Sequence, residues 1–328
     1  MDTQYYDTPQ TDGNPGGSAA MPTSNDVRES LTNVLKNAPV VNTDITSAAM
    51  HASFSLGQWM GRRGDKKASA EITASNHAET GTASVRKNLL GNCPELVAVH
   101  KYAGLVRNLH TSLTMPWGDD GLRLLPTAQY FKYHQTMTAA EAEFWGLVNA
   151  FTGVYEWRKS TAQARLGGLY NPADYPTLPE LERKFRFQLS YTPIPKSGDF
   201  RVDIGNEATA EIKASCDEYY ERNIANAMND VWTRLHKVLV RMSAQLSYKA
   251  DGSTEKFKDT LVGNVSDMVE LLSVCNITGD SQMTAMKDRL SDAMYGITPE
   301  VLREDTFTRD ETKQNIDRII AALPSLDV

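Results

Sequence analysis

The sequence predicts a mainly α fold of long helices with a small antiparallel β-hairpin element, and three observations carry that prediction. From about Glu207 to Tyr248 the chain has neither Gly nor Pro, and Ile224, Met228, Val231, Leu235, Val238 and Met242 recur at spacings of 4, 3, 4, 3, 4. That is a heptad seam on one continuous helix. Apolar residues three and four apart run through most of the other segments, as in amphipathic helices. Alternation of apolar and polar residues stands out at Phe185, Phe187, Leu189 and again at Phe200, Val202, Ile204, on either side of a Pro-Lys-Ser-Gly turn, which reads as a hairpin. Pro193 and Pro195 restrict it to a short or edge pairing.

Taken in order, residues 1–24 are rich in Thr, Pro, Gly, Asp and Gln without apolar periodicity, so a disordered tail is expected there. The main body is expected over residues 25–250, with 251–328 as a C-terminal helical extension. A first helix is expected from Asn25 or Asp26, with Val27, Leu31, Val34 and Leu35 on one face, stopping before Pro39. The next is expected over 44–61, carrying Ile45, Ala48, Ala49, Ala52, Leu56, Trp59 and Met60. Arg62, Arg63, Lys66 and Lys67 then read as cations on its C-terminus, with phosphate contact as the sharper alternative. Residues 68–82 are small and polar, a loose stretch or a weak helix.

The helical pattern returns from Val85, through Leu89, Leu90, Leu96, Val97, Ala103, Val106, Leu109 and Leu113, with a break or kink expected near Cys93 because Pro94 interrupts it. Trp117-Gly118-Asp119-Asp120-Gly121 reads as a turn feeding a short strand, Leu122 to Leu125. Thr138-Ala139-Ala140-Glu141 reads as a capping box opening a helix with Phe144, Leu147, Val148, Phe151, Val154 and Tyr155 inward, ending at Gly167-Gly168. The Gly- and Pro-free helix would extend about 60 Å at 1.5 Å per residue. It should pack as a spine along another long helix, within the chain or across subunits, and end at Asp251-Gly252. Shorter helices follow, with Thr298-Pro299 as an N-cap pair and Thr308-Arg309-Asp310-Glu311 as a second capping box.

With 328 residues, 41 % hydrophobic and 23 % charged, the chain can bury a sizeable core. A formal charge of −7 argues against a surface coated in cations for duplex DNA while leaving room for a local basic groove. Three cysteines, Cys93, Cys216 and Cys275, lie far apart without metal-ligand spacing, as expected of buried thiols in a reducing compartment. There is no leader pattern and no run near 18 apolar residues, so the expected location is the cytoplasm, that of a bacterial host.

No Gly-rich phosphate cradle, elbow nucleophile or metal-ligand spacing appears in the sequence. The expectation is therefore no catalytic residue, no cofactor and no metal. The carboxylate pairs Asp119-Asp120 and Asp199/Asp203 sit where Asp serves turn and strand geometry. Two surfaces remain. Trp117, Asp119, Asp120, Arg123, Asp174 and Tyr175 lie in two aromatic turns and are candidates for a partner-binding surface anchored by Trp117, because aromatics dominate protein interfaces. Arg158, Lys159, Arg165, Arg183, Lys184 and Arg186 lie beside Trp157, Phe185 and Phe187 and are the alternative, a site for single-stranded nucleic acid. Phe185 and Phe187 share a strand face and are weighted toward the core.

The order WMGRRGD, MPWGDDGLRLLP, LGGLYNPADYPTLPELERKF, PIPKSGDFRV and MNDVWTRLH, over about residues 44–248, resembles an uncharacterised family of tailed phages and some bacteria, a conserved domain of unknown function. Its genes neighbour those for MoxR-type AAA+ ATPases and von Willebrand factor A-like, cobalt-chelatase-subunit-like proteins. The resemblance implies a client or adaptor of such an ATPase and transfers no site residue. The leading expectation is a non-enzymatic, oligomeric interaction protein of a tailed phage. Single-stranded nucleic-acid binding or annealing is the rival, and a hydrolase or transferase a distant third.

Overall fold

A computed structural model describes residues 45–118, 121–195, 206–248 and 258–324, with backbone alone at 206–210. The expected tail, the first helix, Asp119-Asp120, the hairpin's turn and second arm, and the Asp251-Gly252 break lie outside these residues. The fold is mainly α with a small antiparallel β component.

The first correction is at the expected 44–61 helix. Only Ile45–Ala48 (α1) is helical, and Ala49–Gly57 is a strand, β1. Met50, Ala52, Phe54 and Leu56 alternate with His51, Ser53, Ser55 and Gly57, so β1 turns its even residues to one side and its odd residues to the other. It pairs antiparallel with β5 (Arg123–Pro126), Met50 opposite Leu125, and with β6 (Arg186–Pro193), Phe54 opposite Leu189. With β4 (Met115–Pro116) outside β5, the sheet order is β4-β5-β1-β6. The described hairpin is β4–β5. β6 pairs with β1 along an edge, where Pro193 removes no ladder donor the sheet needs.

Two further readings change nearby. Arg62–Asp65 is a strand, β2, and the Arg62 and Arg63 cations therefore cap no helix. Lys66–Ser75 (α2) starts at Lys66, with the Asp65 carboxylate accepting from Ala68 N at 3.0 Å. Val85–Asn88 (β3) pairs with β2 in a separate two-stranded ribbon. The expected helix from Val85 is thus a strand at 85–88, and the interruption expected near Cys93 is a break: Pro94 is the first residue of α3 (Pro94–Ser112), where its missing N–H costs nothing.

α4 begins at Tyr130 and runs to Ser160, so Thr138 is interior and caps nothing. Tyr133, Met137, Ala140, Phe144, Val148, Phe151 and Tyr155 form one buried stripe, and its first two members extend the helix upstream of the expected cap. Short helices α5 (Ala162–Leu166) and α6 (Leu178–Glu182) follow, and Gly167 ends α5 with φ +52°. The long helix is one element, α7 (Asn206–Leu246), and its seam is buried at Met228, Val231, Leu235 and Met242 and half-buried at Ile224 and Val238. Its neighbours are not another long helix but β4, α8 (Thr260–Cys275) and α11 (Thr306–Ala321), with α9 (Ser281–Ala293) and α10 (Pro299–Glu304) completing the layer. Thr298 caps α10 as expected, whereas Asp305, not Thr308, caps α11 by accepting from Phe307 N at 3.0 Å.

The sheet separates two apolar cores. Ala52 and Leu125, with Met50, Phe54, Leu56, Phe185 and Phe187, pack against α3 and α4. Ala49, Leu124, Met115 and Trp117 pack on the other side against α7 and the C-terminal helices. β1 and β5 thus bury both faces in places, and that burial holds them extended. Residues 42–328 form one compact unit. Among the described residues, no helix is long and apolar enough to cross a membrane.

Candidate functional site

The candidate turns stand at opposite ends of α3. At its C-terminus, Arg123 from β5 donates through Nε to Thr114 Oγ1 at 2.6 Å and through Nη2 to the carbonyls of Thr111 and Thr114 at 3.2 and 3.0 Å. Arg234 from α7 donates to the carbonyls of Ser112, Thr111 and Thr114 at 2.9, 3.0 and 2.9 Å, and pairs with Asp230 at 2.6 Å. A helix C-terminus presents unpaired carbonyls and partial negative charge, which two guanidinium groups satisfy. Burial, then the neighbouring Arg234, lowers the Arg123 pKa from its ordinary value.

Trp117 is buried, its ring 5.1 Å from that of His51 and 5.5 Å from that of Tyr220. It is a core residue of the α7 side. One turn before the end of α3, His110 Nδ1 lies 2.7 Å from the Tyr133 hydroxyl in a buried contact. Burial, with Arg123 adding to it, pushes the His110 pKa down to about 4, so the imidazole is neutral at physiological pH. Burial also raises the Tyr133 pKa.

At the other end, Tyr175 donates its hydroxyl proton to Leu89 O at 2.7 Å, just ahead of α3. Asp174 pairs with Lys87 at 2.7 Å, and Lys87 also meets Asp65 at 3.1 Å and donates to Leu169 O at 2.8 Å. Lys87 is 7 % exposed, and this carboxylate–ammonium cluster pins the β2–β3 ribbon to the body. The Lys87 pKa is raised, first by its hydrogen bond to Asp174 and partly opposed by burial. A 19-residue α3 is about 28 Å long at 1.5 Å per residue, so the Trp117 and Tyr175 turns do not build one surface.

Of the six basic candidates, three converge. Arg158 donates to Asn92 O at 3.3 Å and lies over the Trp157 ring at 5.0 Å. Arg165 donates to Arg158 O at 2.6 Å, and Lys159 pairs with Glu156 at 3.5 Å. Arg186 instead donates to Ser55 Oγ at 2.6 Å across the sheet, while Arg183 and Lys184 are exposed behind α6. Phe185 and Phe187 are buried, and Arg186 and Gln188 face out, as the alternation predicts.

Sequence reading missed a third place. Where α7 leaves the core, a cavity of about 430 Å³ is lined by Pro116, Gly118, Tyr219, Arg222, Asn223 and Asn226. Asn223 is 3 % exposed, and its Nδ2 has no hydrogen-bond partner among the described residues, a costly state for a buried amide. The available signal was the Tyr219-Tyr220 pair in an otherwise polar stretch. Cys93 and Cys275 are buried thiols whose pKa values burial raises, Cys275 to about 12, which suppresses thiolate reactivity. No group of three or more His, Cys, Asp or Glu able to hold a metal occurs among the described residues. Compared with protein-family models, curated proteins and solved structures, the chain finds no match.

Proposed function

We propose that this chain is a non-enzymatic interaction protein that assembles with other proteins through the first turns of α7 and the cavity beside Tyr219. The observation carrying this reading is the change of environment along a single helix. From Asn223 to Leu246 the inward stripe of α7 is buried, whereas from 211 to 222 no residue is buried. Ile212, Cys216, Tyr219 and Tyr220 nevertheless keep one apolar and aromatic face at helical spacing there. Such a face is what helix-in-groove recognition uses, and Tyr is enriched among residues that dominate interfaces. Asn223, at the base of that face, offers an amide donor to a partner's backbone carbonyl. The family resemblance makes a second copy of the chain or a MoxR-type AAA+ ATPase the partner to test first, in the cytoplasm of a phage-infected bacterium.

The test is mass by light scattering, with co-purification of a co-expressed MoxR-type ATPase, for the wild type and for Ile212→Asp with Tyr219→Asp. The wild type should self-assemble or retain the ATPase, and the variant should be a folded monomer that retains neither. A wild type that is monomeric and retains no ATPase, or a variant that assembles normally, overturns the reading.

A further inference from the structure

We infer that the outer face of the β2–β3 ribbon and the adjoining end of α4 form a binding surface for single-stranded nucleic acid. The inference rests on residues separate from those of α7 and does not depend on the interaction reading above.

The register of the ribbon sorts its charges. Arg62 is opposite Asn88, Arg63 opposite Lys87, Gly64 opposite Arg86 and Asp65 opposite Val85. Because opposed residues share a face and neighbours alternate, Arg63, Asp65 and Lys87 turn toward the body, where Asp174 meets both cations at 3.7 and 2.7 Å. Arg62, Gly64, Arg86 and Asn88 make the other face. Arg62 and Arg86 are exposed, and neither has a carboxylate partner among the described residues. Gly64, opposite Arg86, has open space where a side chain would be. Lys66 and Lys67 continue the cations onto the first turn of α2, which Asp65 caps, and Glu71 lies 4.0 Å from Lys67. Asp65, the one carboxylate of the ribbon, is on the body side, so the ribbon's outer surface is basic in a chain whose net charge is −7. Cations held apart from carboxylates in this way favour a polyanion.

That surface continues to an aromatic ring. Asn88 Nδ2 donates to Gly91 O at 2.9 Å. Gly91 has φ +61°, the left-handed conformation that favours glycine, and a Cβ built there would touch the Arg165 side chain at 3.4 Å, so Gly91 and Arg165 are in contact. Arg165 donates to Arg158 O, and Arg158 lies over Trp157, which is 61 % exposed. The path Arg62, Asn88, Arg165, Arg158, Trp157 thus joins the exposed cations of the ribbon to an exposed indole backed by the Arg158 guanidinium, which itself pairs with Glu95 at 3.5 Å. Cations along a backbone track with a ring for base stacking are the chemistry of single-strand binding. A duplex hides its base faces from such a ring, and an acidic peptide has no base to stack on it.

The experiment is fluorescence anisotropy of labelled 30-nucleotide oligo(dT) at 50 and 200 mM salt, with the matching duplex and poly-glutamate as competitors. The wild type should bind oligo(dT) with an affinity that falls as salt rises. Arg62→Glu with Arg86→Glu should weaken binding at least tenfold at 50 mM salt and flatten the salt slope by about 1.4, at roughly 0.7 per phosphate contact on a single strand. Trp157→Ala should weaken binding by about 5- to 150-fold with the slope unchanged, the range for losing one stacked base. All three side chains are exposed, so circular dichroism and melting temperature should match the wild type. No oligo(dT) binding at 50 mM salt, binding indifferent to these substitutions, or equal competition by duplex or poly-glutamate overturns the inference.

Discussion

Arg123 and Arg234 donate to the same two carbonyls, those of Thr111 and Thr114, although one arginine comes from the sheet and the other from α7. Two like charges converge there because the end of α3 is a concentrated acceptor site and Asp230 neutralises one of them. The pair ties the α3–α4 core to the α7 core, so the two halves should unfold together.

Arg234→Met should therefore lower stability by about 1.5–3 kcal/mol, the range for hydrogen bonds from a charged donor, as read from urea unfolding. The loss should not add to that of Arg123→Met, because either arginine can serve the shared carbonyls once the other is gone. Additive losses would show that the two act independently.

His110 gives the protein an acid-sensitive element. Its folded pKa, about 4, lies below the ordinary value of 6.5. A depressed value means that the stability it contributes is complete above pH 6.5 and is lost as pH falls toward 4. The 2.5-unit difference corresponds to roughly 3 kcal/mol. Unfolding measured between pH 7 and 4 should show a decline that His110→Gln reduces by that order. A His110→Gln curve parallel to the wild type would assign the acid sensitivity elsewhere.

Lys87 shifts the other way. Its raised pKa means that its contribution is complete below the unfolded value near 10.4 and is lost as pH climbs through the folded one. Lys87→Ala leaves Asp65 and Asp174 facing each other with only Arg63 near, and should cost about 3–5 kcal/mol at pH 7. Because the wild-type contribution of Lys87 is itself lost as pH climbs through the raised folded value, the deficit relative to wild type should shrink at alkaline pH. A deficit constant across pH would mean that packing, not charge, is what Lys87 supplies.

How much of this was legible depends on where each residue's partners lie. α7 was legible end to end because a helix satisfies its backbone within itself, and a Gly- and Pro-free stretch with an apolar seam leaves no competing arrangement. The inward stripe of α4 was legible for the same local reasons, and the short strand after Leu122 from its apolar run. β1 was not. Ala48, Ala52 and Leu56 fit a helical face as well as Met50, Ala52, Phe54 and Leu56 fit a strand, and only pairing with Leu125 and Leu189 decides between them. Once β1 was read as a helix, Arg62 and Arg63 read as its caps, which hid the ribbon.

The sequence by itself determined the helical majority, the α7 spine, the inward Phe185 and Phe187, and the shortage of recognisable reaction chemistry in its motifs. Tertiary structure alone decided that Trp117 and Tyr175 stand at opposite ends of α3, that Lys87 is held between Asp65 and Asp174, and that Arg62 is exposed on a ribbon opposite Asn88. The physical reason is the range of the forces. Helix hydrogen bonds span four residues and are written into local periodicity, whereas strand pairing, buried ion clusters and charged surfaces join segments whose proximity only the packed core creates.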